Sequence, residues 1–354
     1  MEIKITKTTS PKAQPSADVL GFGKYFTDHM FIMDYTAEKG WHDARIVPFE
    51  NLSIHPASTV LHYGAEIFEG LKAYRTSEGK IQLFRPLENI KRMNRSAERM
   101  CLPQIPEQDA LEILKKFIEL EKDWVPSQAG TSLYIRPFMY GNDEQLGVHA
   151  VSNAVFMIIL SPVGSYYKEG INPVKIMIED QDVRAVRGGT GEAKCGGNYA
   201  ASTRAGERAA KQGYSQVLWL DGVERKYVEE VGAMNVMFKI NGEIVTPKLS
   251  GSILPGITRK SCLEILRKEG YKVSERLLSV KELVKALKKG KLEEAWGCGT
   301  AAVISPIGEL CYQGVKYAIN GGEIGEVSRK LYDTITGIQL GKIEDKYGWI
   351  EKID

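Results

Sequence analysis

The chain has 354 residues, enough for about two domains at roughly 150 residues each, and 43% hydrophobic content supplies cores for both. A net charge of only +2 argues against a nucleic-acid binder. Five scattered cysteines without a Cys-x-x-Cys argue against a disulfide framework. The start MEIKITKTTSPKAQPS lacks an apolar signal core and the longest apolar run is the strand-like AVFMIIL, so a soluble protein of the cytoplasm, not a membrane protein, is expected.

In chain order, ENIKRMNRSAERMC places Ile90, Met93, Ala97 and Met100 on one helical face, and DALEILKKFIELEKDWV reads as a second amphipathic helix. SLYIRPFMYG and AVFMIILSP read as strands. SPVGSYYKEGINP, Ser161 to Pro173, is dense in turn formers and is the linker candidate, although Tyr166 and Tyr167 are unusual in a plain linker. The expected division is a small N-terminal α/β domain at 1–162, a linker at 163–173 and a larger C-terminal domain at 174–354.

Strands VKIMIED, QVLWLDG and MNVMFKI follow, the last joined to EIVTP by Asn241-Gly242, a type I′ hairpin signal. GSILPGITRKSCLEILRKEG gives a proline-glycine turn, a helix from about Thr258 and a stop at Gly270. KELVKALKKGKLEE keeps Leu283, Val284 and Leu287 at helical spacing, so its lysines read as a solvated helix face and not as a nucleic-acid patch. EEAWGCGTAAVISPIGELCY reads as a small-residue turn within a second hairpin, and EVSRKLYDTITGIQLG as a C-terminal helix. Hairpins with helices between them indicate an α+β fold in place of a doubly wound sheet.

One lysine stands in unusual company. In GEAKCGGNYAAS, Lys194 sits among glycines and alanines, with Tyr199 five residues on. A Walker loop needs Gly-Lys-Ser/Thr, whereas Ala193 precedes and Cys195 follows this lysine. An inert, solvent-facing lysine in a glycine-rich loop is the plain alternative. Against it, small residues let a bulky group approach the backbone and Tyr199 offers a phenol. A lysine in a partly dry site loses its proton below its reference value of about 10.4 and becomes an amine nucleophile. That is the requirement for a Schiff base to pyridoxal phosphate. Such a site also needs a carboxylate at the pyridine nitrogen, donors for the phosphate, and a phenol or amide at the ring oxygen. YVEEVGAMN supplies Glu230, LPGITRKS supplies the Ile257 and Thr258 amides at a helix N-terminus, and GCGTAAV supplies a turn with Thr300. Each alone has a bland account, such as a solvated acidic pair or a plain helix start; their co-occurrence points to one chemistry.

Nine stretches extend the pattern: FGKYFTDHMF, LHYGAEIFEGLKAYR, LFRPLENIKRMNRSAERMCLP, TSLYIRPFMYG, AKCGGNYA, QVLWLDG, EEVGAMN, ILPGITRKS and GCGTAAV. In this order, over nearly the whole chain, they resemble the branched-chain amino acid aminotransferases of the fold type IV group of pyridoxal phosphate enzymes. The resemblance implies an α+β fold of two domains with pyridoxal 5′-phosphate at their interface, the C-terminal domain carrying the lysine. It also implies a homodimer with shared active sites, small-molecule substrates, no nucleic acid, no membrane and no metal.

Residue by residue, it implies that Lys194 forms the Schiff base, Tyr199 bonds the ring oxygen and Glu230 keeps the pyridine nitrogen protonated. Arg92 would reach the phosphate beside Ile257, Thr258 and Thr300, with Arg184 close to the cofactor; an exposed helix arginine is the plain alternative for Arg92. Phe22, Tyr63, Phe68, Tyr134, Arg136 and Ala301 would line the substrate pocket, with Leu146, Tyr63 and Tyr166 reaching across the dimer. Core or loop packing is the blander account of the aromatics. The implied reaction is ping-pong exchange of an amino group between L-leucine, L-isoleucine or L-valine and 2-oxoglutarate, with Arg136 and Tyr134 meeting the second carboxylate of glutamate. Alternatives are a D-amino acid transaminase or aminodeoxychorismate lyase of the same fold, or a catalytically silent cofactor-binding regulatory protein. Two departures stand out: Ala233 where many members carry threonine or serine, and Ala302 and Ser305 where mammalian members carry a Cys-x-x-Cys.

Overall fold

The computed structural model describes residues 2–164 and 171–353. Tyr166 and the rest of the linker between 165 and 170 lie outside the described residues. The chain forms two compact units, one of Met1–Tyr166 with Ala193–Gly196 and Gly337–Asp354, the other of Tyr167–Glu192 with Gly197–Thr336. The linear division at 174–354 differs from this in two places. The four residues around Lys194 belong to the first unit, and so does the C-terminal segment.

In the first unit, strands Gly40–Pro48, His29–Thr36, Asn153–Val163, Ser132–Gly141, Leu71–Arg75 and Ile81–Phe84 lie side by side, each antiparallel to the next. The short strand Glu66–Phe68 also pairs with Ser132–Gly141, Phe68 opposite Phe138. Asn153–Val163 reads as an unbroken apolar run because both its faces are covered. Phe156, Ile158 and Leu160 join a core with Ile90, Met93 and Leu114 of the helices Pro86–Arg99 and Glu107–Leu120, while Val155 and Met157 join one with Met30 and Tyr140. Proline at the first position starts the helix Pro86–Arg99, and Cys101 beyond its end takes a left-handed φ of 54°. Ile90, Met93 and Ala97 are buried on it as the spacing requires, and Met100 packs against the same core.

The second helix is shorter than its pattern suggests. It ends at Leu120 and gives way to a 3-10 turn at Lys122–Trp124. There the Glu121 carboxylate is taken by His29 Nδ1 and the N–H of Asp28, and Trp124 Nε1 donates to Asp28 at 3.1 Å. At the other edge of the sheet, Ile350–Ile353 pairs antiparallel with Ile81–Phe84. Gln82 Nε2 bonds the carbonyls of Ile338 and Gln339, which places Gly337–Asp354 in this unit.

The second unit is a mixed sheet in the order Val228–Val231, Gln216–Leu220, Val174–Glu179, Val303–Tyr312, Leu292–Gly299, Met234–Ile240, Glu243–Pro247 and Val273–Arg276. Val174–Glu179 runs parallel to both its neighbours. Both expected hairpins are present. Ile240 faces Glu243 across Asn241 (φ 51°) and Gly242 (φ 74°), the paired positive angles of a type I′ turn, and Gly299 faces Val303. The helix Ile257–Lys268 stops before Gly270 at φ 81°, and Val280–Lys288 buries Leu283 with Val284 and Leu287 against the core. Among the described residues no helix is long and apolar enough to cross a membrane.

Candidate active site

Lys194 is gripped through its backbone. Its N–H donates to Ser96 Oγ at 2.9 Å and its C=O accepts the Phe68 N–H at 2.9 Å, so the segment lies against the end of strand Glu66–Phe68. Its Nζ stands 4.8 Å from the centre of the Phe68 ring. The Arg136 guanidinium lies at the same distance from that ring and donates through Nη2 to Tyr134 Oη at 3.0 Å. Tyr134 and Arg136 are two apart on one strand and therefore share a face. The Phe22 ring meets Tyr134 edge-on at 4.8 Å.

Gly70 is required here, since a Cβ on it would stand 2.1 Å from Tyr134 Oη. Arg136 Nε is buried and has no hydrogen-bond partner among the described residues, a donor suited to an anionic ligand. The expected pocket residues Phe22, Phe68, Tyr134 and Arg136 thus form one connected cluster, which meets the lysine through Phe68. Lys72, opposite Tyr134 in the strand register, is enclosed, and burial brings its pKa down to about 8.

Arg92 is not the exposed helix arginine of the plain alternative; it is 4% exposed. Its Nε and Nη2 donate to the two oxygens of Glu69 at 2.7 and 2.9 Å, a bidentate pair. Asn89 Nδ2 adds a third bond to Glu69 at 2.9 Å. Burial would push the Glu69 carboxyl up, but the Arg92 charge and bonds, the Lys194 charge and Asn89 together hold it below the usual range. Glu66 behaves in the opposite way. Burial raises its pKa against a bond from the Gly196 N–H and the charge of Arg136. Glu69, Asn89 and Ser96 escaped the sequence reading. The visible signal was the polar spacing Asn89, Arg92, Ser96, which is helical and lies beside the apolar stripe.

The second unit assembles a separate set. Glu230 is 3% exposed, and its Oε1 accepts the Leu254 N–H at 2.8 Å. Across the hairpin, Asn235 pairs with Glu230 and donates to the Leu254 carbonyl at 2.9 Å. A Cβ on Gly256 would stand 1.9 Å from Asn235 Oδ1, so only glycine fits, and the next residue opens the helix Ile257–Lys268. The acid and the helix N-terminus are therefore tied by one loop. Cys298 faces Asn235 in the neighbouring strand, which brings the turn with Thr300 and Ala301 to the same end of the sheet.

Arg184 is buried. Its Nη2 bonds the carbonyls of Gly191 and Ser252, and its Nε stands 3.4 Å from Glu230 Oε2. Beside it, burial raises the Glu229 carboxyl despite a bond from Ser252 Oγ. Tyr199 lies half-buried in the first turn of Gly196–Lys211. Tyr63 and Leu146 form neither cluster. They are 42% and 71% exposed; Tyr63 ends the short helix Thr59–Tyr63, and its Oη accepts the N–H of Gly147, the residue after Leu146, at 2.8 Å. Ala233 is exposed at the turn between Val228–Val231 and Met234–Ile240, and Ala302 and Ser305 are buried.

A lysine amine, a buried acid tied to a helix N-terminus, and a buried arginine are the donor and acceptor types that pyridoxal phosphate demands, and the residues present fit it. The model of the family described as Amino-transferase class IV matches residues 66–310. The chain belongs to this family. Branched-chain-amino-acid aminotransferase 2 of Bacillus subtilis (strain 168) is 56% identical to this class IV aminotransferase over 351 residues, covering 99% of this chain and 97% of the relative. Among solved structures, the Escherichia coli branched-chain amino acid aminotransferase superposes with a TM-score of 0.77 at 27% identity, covering 92% of this chain and 99% of its own. The branched-chain aminotransferase of the thermophilic archaeon Thermoproteus uzoniensis, solved with norvaline, gives 0.76 at 26% identity, covering 92% and 100%.

Proposed function

We propose that this class IV aminotransferase exchanges the amino group between L-leucine, L-isoleucine or L-valine and 2-oxoglutarate, by a ping-pong reaction on pyridoxal 5′-phosphate. The observation that carries the reading is the setting of Lys194, an amine over Phe68 with Arg136 and Tyr134 on the same ring cluster. It supports the reading together with the full-length likeness to branched-chain enzymes. When bound, the cofactor supplies an aldehyde carbon for the amino group and a ring that accepts the electron pair left at the substrate α-carbon.

Lys194 Nζ would hold the cofactor covalently, and its free amine would move the substrate's α-proton as general base and then general acid. Glu230, with Arg184 Nε 3.4 Å away, would hold a proton against the pyridine nitrogen. Tyr199 bonds the ring oxygen. Arg92, the Ile257 and Thr258 amides and Thr300 bind the phosphate. Phe22, Phe68, Tyr63 and Ala301 exclude water from the aliphatic side chain. Arg136 with Tyr134 binds the distal carboxylate of glutamate, so two substrate classes share one pocket. The protein acts in the cytoplasm as a homodimer, with the exposed Tyr63 and Leu146, and Tyr166, completing the partner's pocket.

Amino transfer from L-leucine to 2-oxoglutarate tests the reading, with D-alanine as control. Transfer from D-alanine in place of leucine would make the chain a D-amino acid transaminase, and no turnover would make it a silent binder. Lys194→Ala should abolish turnover while cofactor still binds without a covalent link. Borohydride reduction of the wild-type protein should label Lys194 on peptide mapping; a label on another lysine refutes its role.

A further inference from the structure

One face of the helix Pro86–Arg99 serves two partners. Asn89 and Arg92 donate to a single carboxylate, Glu69, while Ser96 on the same face accepts the N–H of Lys194. Glu69 is 1% exposed and gains a further donor from the Gly70 N–H at 3.1 Å. A buried ion pair of this kind adds little net stability, since two charges must be stripped of water to form it. Its value lies in geometry. Two parallel N–H···O bonds fix the plane of a guanidinium, which has five donors, and leave three for other partners.

We propose that Glu69 is a positioning residue for the cofactor site, locking the Arg92 guanidinium in the orientation that meets the phosphate and setting a negative charge beside Lys194 that favours its protonated nitrogen. The proposal rests on Lys194 and Arg92 being the cofactor lysine and the phosphate arginine. Glu69 directly follows Phe68, whose N–H bonds the Lys194 carbonyl at 2.9 Å and whose ring centre lies 4.8 Å from Lys194 Nζ, and the lysine's charge helps hold the Glu69 carboxyl down. Two further charges face the same segment: Arg136, over the same Phe68 ring, and Glu66, which accepts the Gly196 N–H. Removing the Glu69 charge uncovers that of Arg92, so both consequences push the lysine nitrogen towards its neutral form.

The test uses the holoenzyme. Glu69→Gln keeps the shape and removes the charge. It is expected to lower the protonation midpoint of the lysine–cofactor linkage, followed by absorbance from about pH 5 to 10, by about one pH unit or more, and to weaken cofactor affinity about tenfold. Glu69→Asp keeps the charge but draws it back by one methylene, so the midpoint should stay near the wild-type value while affinity falls. A wild-type midpoint in folded Glu69→Gln protein overturns the proposal, because a carboxylate that only braces the fold would move the melting temperature alone. If Glu69→Gln does not fold, Glu69→Asp decides: selective loss of affinity supports the proposal and wild-type affinity overturns it. Arg92→Gln tests the underlying assignment separately. Undiminished cofactor affinity there would overturn the phosphate role of Arg92 itself.

Discussion

Each unit buries a glutamate near a buried arginine, Glu69 by Arg92 and Glu230 by Arg184, and the two pairs are built differently. In the first, Arg92 meets Glu69 through both forks at 2.7 and 2.9 Å. In the second, Arg184 directs Nη2 to the carbonyls of Gly191 and Ser252, and its Nε stands 3.4 Å from Glu230 Oε2 without hydrogen-bond geometry. A tight bidentate pair fixes the orientation of both partners. A single longer contact fixes that orientation less. The first arrangement suits a residue whose orientation matters, and the second suits a carboxylate that must itself serve a ligand.

The largest effect expected from this contrast is at Glu230. In the proposed role, Glu230→Gln removes the charge that would hold a proton on the pyridine nitrogen, and should lower kcat about a hundredfold or more, roughly 3 kcal/mol, with cofactor still bound. Near-wild-type kcat in steady-state assays would erase the distinction between the pairs and direct attention to Glu229, whose carboxyl burial raises.

A third arginine sharpens the comparison. Like Arg184, Arg136 has a buried Nε without a hydrogen-bond partner among the described residues, but its Nη2 donates to a phenol, Tyr134 Oη, where that of Arg184 donates to backbone carbonyls. Arg136→Gln should weaken the glutamate and 2-oxoglutarate half-reaction by roughly tenfold to a hundredfold, about 1.5 to 3 kcal/mol, and the leucine half-reaction much less. Separate single-turnover measurements read this directly. Equal losses on both sides would assign Arg136 to the fold.

The smallest effect concerns stability at high pH. Lys72 is a buried cation whose pKa is brought down to about 8 by burial. Between that value and the unfolded value of about 10.4 the unfolded chain binds more protons, so stability rises with pH across this window. In Lys72→Met the rise should flatten, while melting temperature at neutral pH stays level or increases. Thermal melts at about pH 7 to 10 check it. An unchanged slope would show that Lys72 is not the titrating group.

Much of this was legible from short-range pattern. The strand Ser132–Gly141, the Asn241-Gly242 hairpin and the Gly270 stop follow from alternation and turn chemistry, which act over a few residues. Lys194, Glu230 and the helix start at Ile257 were visible for a related reason: small residues, a paired acid and a proline-glycine turn each leave a local mark. The break of the second helix at Glu121 was not visible, because the partner that captures its carboxylate, His29, lies 92 residues away.

What the sequence by itself determined, then, are the elements and the residue types of the chemistry, since propensity, periodicity and turn geometry are carried by neighbours along the chain. Tertiary structure alone decided that the Lys194 segment and the last strand belong with the first unit, that Arg92 is buried, and that Glu69 holds it. Those outcomes depend on strand pairing and on desolvated charges meeting across long separations. Glu69 and Arg92 are 23 residues apart, and Ser96 and Lys194 are 98 apart. No local pattern records which buried donor will find which acceptor; the packing of a helix face against a strand end settles it.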